Sequence, residues 1–146
     1  MTTKTSGDYI STRAWLRDII HGDDYILRGV SALEFLQMFV GYIGENHIEV
    51  YAKARGIYEN VEYKVVGDFH EIEYIKIGNT LCTTFNQTIN DMLSDFDHSD
   101  EQALTEALCN YYFEHNESFD GLKINPENRK TFQQIMINAV NYASGG

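Results

Sequence analysis

Ile72-Glu73-Tyr74-Ile75-Lys76-Ile77-Gly78-Asn79-Thr80-Leu81-Cys82-Thr83-Thr84-Phe85 is the stretch whose reading decides the fold. Its two arms, Ile72–Ile77 and Leu81–Phe85, alternate or carry the β-branched and aromatic residues that suit a pleated, half-buried surface. Gly78-Asn79 between them is a two-residue hairpin turn. Upstream, Val61–Val66 and His47–Tyr51 have the same character, and Gly56 and Gly67-Asp68 punctuate them. Residues 46–85 therefore predict a small, mostly antiparallel sheet of about four strands.

Outside that stretch the apolar period shifts toward 3.6. Upstream, Ser31-Ala32-Leu33-Glu34 has the form of a capping box. The residues after it, through Val40, are apolar on nearly every side, which predicts a buried central helix over 32–41 closed by Gly41 and Gly44. A shorter helix is expected over about 11–20, stopped by His21-Gly22-Asp23-Asp24, after a flexible polar tail over 1–8. Downstream, helices are predicted over 86–94, over about 100–116 with Ser99 or Asp100 as N-cap, and from Asn125-Pro126-Glu127 onward. Phe132, Ile135, Met136 and Ala139 form the inner stripe of the last one. The expected architecture is α+β: one domain over residues 9–146, a small sheet flanked by helices, and a helical C-terminal part.

The 146 residues suffice for one ordinary domain, and 43% hydrophobic with 13% aromatic content supports a real core. No apolar run approaches the roughly 18 residues of a membrane span. Met1–Asp8 lacks the apolar segment of a secretory leader, so a cytoplasmic protein is expected. Cys82 and Cys109 read as buried reduced thiols.

Charge is the feature that points toward function. The chain carries 22 acids against 11 Lys and Arg, a formal net charge of −11. Residues 1–30 are balanced, four against four, whereas residues 86–146 hold ten acids and three cations. Between Lys76 and Lys123 there is no Lys or Arg, and that gap contains Asp91, Asp95, Asp97, Asp100, Glu101, Glu106, Glu114, Glu117 and Asp120. A field of one sign repels a phosphate backbone and steers a basic partner.

Catalytic and metal patterns are weak by comparison. Asp95-Phe96-Asp97-His98-Ser99 places oxygens at calcium-loop positions 1, 3 and 5, with Glu106 at 12, but Asp100 stands where the loop needs glycine. His21, His47, His70, His98 and His115 show no ligand spacing. His98 and His115 read instead as helix-end caps or stacking partners. No nucleophile elbow, phosphate loop or dinucleotide fingerprint occurs. Glu45 with Glu49, or Glu71 with Glu73, read as acids on an exposed strand face. No enzyme, no cofactor and no metal is the expectation. Arg13 and Arg17, one helical turn apart, together with Arg28, are the alternative nucleic-acid contact.

Tyr25-Ile26-Leu27-Arg28-Gly29-Val30-Ser31-Ala32-Leu33-Glu34 resembles the opening of the C-terminal domain in the AbiEi family of abortive-infection antitoxins. The resemblance continues through the strand-rich middle to Cys82-Thr83-Thr84-Phe85-Asn86-Gln87-Thr88-Ile89-Asn90-Asp91-Met92-Leu93. It covers about residues 9–95 and leaves 96–146 as an acidic helical extension. The resemblance implies a non-enzymatic α+β domain from a phage-defence or mobile-element context. In the family, an N-terminal winged helix-turn-helix represses the operon, and the C-terminal domain opposes a nucleotidyltransferase toxin. Here fewer than 30 residues precede Gly29, room for one helix rather than a winged helix. The acidic C-terminal part is closer in kind to small anti-CRISPR inhibitors, whose carboxylates stand where phosphates would lie. The expected role is therefore docking on a basic, nucleic-acid-handling protein, antitoxin or counter-defence inhibitor alike. The expected surface is Asp91, Asp95, Asp97, Asp100, Glu101, Glu106, Phe113, Glu114, Glu117 and Asp120. In it Phe113 is an aromatic anchor beside Glu106, Asn110, Glu114 and Glu117, with Leu104, Leu108, Tyr111 and His115 on the opposite, inner side of the helix.

Overall fold

The shortest strand occupies the centre of the sheet. The computed structural model describes residues 23–39, 48–59 and 61–143. Along them run β1 (Tyr25–Leu27), α1 (Gly29–Phe35), β2 (Ile48–Ala52), β3 (Val61–Val65), β4 (Tyr74–Ile77), β5 (Thr80–Thr83), α2 (Phe85–Ser94), α3 (Glu101–Glu114) and α4 (Arg129–Ala143). Single 3-10 turns precede α3 and α4, at Phe96–His98 and Pro126–Asn128. The strand order is β3-β2-β1-β5-β4. The expected α+β class, with a helical C-terminal part, is the class observed. The sheet has a fifth strand, β1, and is mixed: β1–β2 and β4–β5 run antiparallel, β1–β5 and β2–β3 parallel. The turn at Gly78-Asn79 forms as its residues predict, with Gly78 at φ +61 in the left-handed conformation that the first turn position demands.

Period-two alternation sorts the sheet into two faces. Leu27 lies opposite Val50 and Cys82, and these three belong with Ala32 of α1, Ile48, Ala52 and Val61 to one buried cluster. Ile26 lies opposite Tyr51 and Leu81, and these form the other face, covered by Val66, Phe69 and Ile72 from the β3–β4 connection. A third and larger cluster belongs to the helices: Val30 and Leu33 of α1, Ile89, Met92 and Leu93 of α2, Ala103, Leu104, Ala107 and Leu108 of α3, and Ile135 of α4. α1 is thus the element that joins sheet core to helical core, the central place that its apolar sequence predicts.

Its boundaries differ from the expectation of 32–41. The helix begins at Gly29, itself at φ +58, and Arg28 is its N-cap without a side-chain bond. Ser31 therefore sits inside the helix, and its Oγ accepts from the backbone N–H of Glu49 at 2.9 Å instead of capping α1. The C-terminus comes early. Gln37 takes φ +63, its N–H donates to Glu34 O at 3.0 Å, and Met38 N–H donates to Leu33 O at 2.8 Å. This is a Schellman closure with glutamine in the position that usually goes to glycine. Gly41 and Gly44, the expected stops, lie outside the described residues, as do the expected helix over 11–20 and the tail over 1–8.

Candidate functional site

α3 owes its start to Asp100, whose carboxylate accepts from Ala103 N–H at 3.0 Å. Its inner face buries Leu104 and Leu108 completely and Tyr111 almost so. His115, the C-cap, stacks on the Tyr111 ring at 3.7 Å between centroids, with Nδ1 2.8 Å from Tyr111 O. The carboxylates sort into two groups, one at each end of this helix, separated by about 20 Å along a 14-residue axis. Asp95, Asp97, Asp100 and Glu101 are exposed at the N-terminal end. Asp95 accepts from or pairs with His98 Nδ1 at 2.8 Å, a contact that holds its carboxyl below the usual range and raises the imidazole. At the C-terminal end Glu114, Glu117 and Asp120 are exposed, and Phe113 leaves 47% of its surface to solvent. Phe113 touches Tyr112 edge-on at 5.4 Å. The ring that packs in the following loop is Phe119, tilted against Tyr112 and edge-on to Phe132.

Three residues of the expected surface or its helix face are placed otherwise. Asn110 donates from Nδ2 to Met38 O at 2.8 Å, so it ties α3 to the end of α1 rather than standing beside Glu114. Glu106 is half-buried. Asp91 is half-buried as well and belongs to a separate polar brace. There its two carboxylate oxygens accept from Tyr51 Oη at 2.7 Å and from Gln87 Nε2 at 2.8 Å.

That brace binds β1, β2 and α2 together. Arg28 lies over the Tyr51 ring, 4.9 Å from its centroid, and its guanidinium is 3.6 Å from Glu49 Oε1. Glu49 Oε2 accepts from Val30 N–H at 3.2 Å. Glycine at position 29 suits its φ of +58, and a Cβ there, 2.7 Å from Oε1, would displace the Glu49 carboxylate from this brace. Only 11% of the Arg28 side chain and 20% of the Glu49 side chain reach solvent. Burial would lower the guanidinium pKa, but Tyr51, Glu49 and Asp91 outweigh it and the net direction is upward. Arg13 and Arg17, the other cations of the alternative contact, lie outside the described residues.

Burial first, and then the bond to Asp91, push the Tyr51 hydroxyl up to about 12 from its ordinary 10.0. The folded chain therefore holds that proton more tightly than the unfolded chain. The stabilisation is complete below about pH 10 and is lost as the pH climbs from 10 toward 12. Thermal melts between pH 9 and 11.5 are expected to show this alkaline decline, and Tyr51→Phe is expected to flatten it.

The loop carrying Glu117 and Asp120 is held from both sides. Asn116 and Glu117 both adopt left-handed backbone, at φ +58 and +57. Tyr111 Oη donates to Asp120 O at 2.6 Å. Farther along, Asn90 of α2 donates from Nδ2 to Asn86 O and Lys123 O and accepts at Oδ1 from Asn125 N–H and Asn128 Nδ2. Asn86 Oδ1 accepts from Lys123 N–H, and Ser94 bonds Asn128. Sequence reasoning passed over this asparagine ladder. Its signal was the four-residue spacing of Asn86, Asn90 and Ser94 on one helix.

Cys82 and Cys109 are buried free thiols, and burial pushes Cys82 up to about 12. Among the described residues no three His, Cys, Asp or Glu side chains stand together as a ligand set. None of the described helices is long and apolar enough to cross a membrane. The chain matches no protein-family model and no curated protein.

Proposed function

We propose that this chain is a non-enzymatic, acidic inhibitor or neutraliser that acts in the cytoplasm by docking α3 and its flanking turns on a basic, nucleic-acid-handling protein. Its context would be phage or mobile-element defence, antitoxin-like or anti-CRISPR-like. The observation that carries the reading is the surface itself. Asp95, Asp97, Asp100, Glu101, Glu114, Glu117 and Asp120 are all exposed around one helix, with Phe113 exposed among them and no Lys or Arg between Lys76 and Lys123. Carboxylates at two helix ends offer negative charge over a span comparable to several phosphates, and an apolar ring supplies a contact that charge alone does not. The reading in which Arg13, Arg17 and Arg28 touch DNA has less support, because Arg28 is engaged with Glu49 and Tyr51.

The test is capture of the tagged chain from cells carrying its neighbouring genes. A protein partner is expected, released by salt and displaced by duplex nucleic acid, since exposed attractions are screened within roughly 8 to 10 Å. Glu106 is unsuitable for charge reversal because it is half-buried. Glu114→Lys with Glu117→Lys, and separately Phe113→Ala, are expected to lower capture at least about tenfold. Exposed changes of this kind shift stability by only about half a kcal/mol. Full capture by the double reversal, or a shift of promoter DNA by the chain alone, refutes the proposal.

A further inference from the structure

β4 is exposed at every residue: Tyr74, Ile75, Lys76 and Ile77 all face solvent, with 41%, 39% and 51% of Tyr74, Ile75 and Ile77 uncovered. It forms one end of the strand order, so no described strand pairs with its outer edge. A sheet edge with apolar side chains and open backbone groups is a template for another strand.

The backbone directions on this edge can be assigned. The two-residue turn makes Ile77–Thr80 the closing hydrogen-bonded pair, and Thr84 N–H donates to Glu73 O at 3.0 Å four residues back. Glu73, Ile75 and Ile77 therefore turn their N–H and C=O toward β5. Tyr74 and Lys76 turn theirs outward. A strand docking antiparallel must meet the outward pair.

We propose that the occupant is β4 of a second copy, joined about a two-fold axis through Ile75. In that register Tyr74 and Lys76 of one chain form hydrogen-bonded pairs with Lys76 and Tyr74 of the other, giving four backbone hydrogen bonds. Ile75 meets Ile75 of the second copy in the central non-hydrogen-bonded pair, where side chains approach most closely. The register is self-complementary on both faces. On one face, the two Ile75 side chains meet at the axis, and each Ile77 lies diagonally beside Ile75 of the other copy and opposite its Glu73. On the other, each Lys76 stands opposite Tyr74 of the second chain, and its ammonium, 3.3 Å from Asp23 Oδ1 in the single chain in an exposed pair, exchanges that contact for the aromatic face. The result is a continuous ten-stranded sheet. A four-residue edge buries little area, so the dimer is weak and concentration-dependent.

Salt separates this contact from the acidic-face docking proposed above. Each copy carries a net −11, so self-association is opposed by charge and strengthens as salt is added, whereas docking on a basic partner weakens. The proposal therefore stands or falls independently of the inhibitor reading.

Sedimentation equilibrium of the full chain at about 10 to 500 μM, in low and high salt, is expected to show a mass rising toward twice 16.8 kDa, further in high salt. Ile75→Lys sets like charges opposite each other and is expected to raise the dimer dissociation constant about a hundredfold, with an unchanged circular dichroism spectrum. Two cysteine variants report the register whether or not that change is tolerated. Ile75→Cys brings two thiols together across the axis, where opposed Cα atoms stand about 4.5 Å apart, and mild oxidation is expected to link the chains. Ile77→Cys faces Glu73 of the other copy and is expected to stay unlinked. Single-chain mass across the whole range, as when the edge serves a different protein, overturns the proposal. Linking of Ile77→Cys as readily as Ile75→Cys also overturns it.

Discussion

Replacing Asn90 by leucine is expected to cost about 3 kcal/mol, seen as a lower urea midpoint with an unchanged slope. Asn90 is 6% exposed, and its amide satisfies four backbone or side-chain groups, from Asn86, Lys123, Asn125 and Asn128. Leucine keeps the volume but leaves Lys123 O, Asn125 N–H and one Asn128 amide proton without that partner, and each such loss costs about 1 to 3 kcal/mol before non-additivity is allowed for. A double-mutant cycle with Asn128→Ala is expected to show strong coupling, because both residues serve the same ladder. Full additivity would mean that the two asparagines act independently and that the loop is held by its apolar contacts alone.

Leu33→Ala is expected to lower stability by about 2 to 5 kcal/mol, and Leu36→Ala by only about 1 to 2 kcal/mol. Both leucines belong to the same apolar run, but the helix that carries them ends at Phe35. Leu33 is completely buried between α1 and the other helices, where its deletion leaves a cavity. Leu36 is half-buried at the C-cap and packs against the sheet-side cluster. Paired denaturant melts check the difference, and equal losses would place the two leucines in equivalent surroundings.

Those two sites show where the sequence was legible. Apolar period separated strands from helices over 48–143, because burying one face requires that period and chain-local chemistry sets it. The hairpin was readable from Gly78-Asn79 for the same reason. β1 escaped because three residues give no period: Tyr25-Ile26-Leu27 becomes a strand only through its partners on β2 and β5. The capping pattern at Ser31 misled because tertiary context offered its hydroxyl a better use, the Glu49 N–H of a neighbouring strand. Asparagines inside a helix were a readable anomaly, since their side chains compete with helical hydrogen bonding unless other backbone needs them.

The acidic site was legible as a quantity of charge and illegible as a shape. Counting gave the gap from Lys76 to Lys123, but not which carboxylates are engaged. Asp91 is taken by Tyr51 and Gln87, and Asp100 by its own helix. Such bonds depend on residues up to 40 positions away, which spacing rules along one helix do not reach.

The central position of β1 also sets the order in which this protein can be assembled. Ile26 pairs with Leu81, 55 positions later, and among the described residues the parallel β1–β5 ladder is the seam between the β3-β2-β1 and β5-β4 portions of the sheet. Closing a loop of that length costs roughly 3.5 kcal/mol of chain entropy before any contact offsets it. A nascent chain leaving the ribosome can form the β4–β5 hairpin and the later helices from local contacts. The two portions of the sheet can join only after residue 83 has emerged, and that pairing, like the tie from Asn110 to Met38 across 72 positions, is a long-range contact of the kind that slows folding.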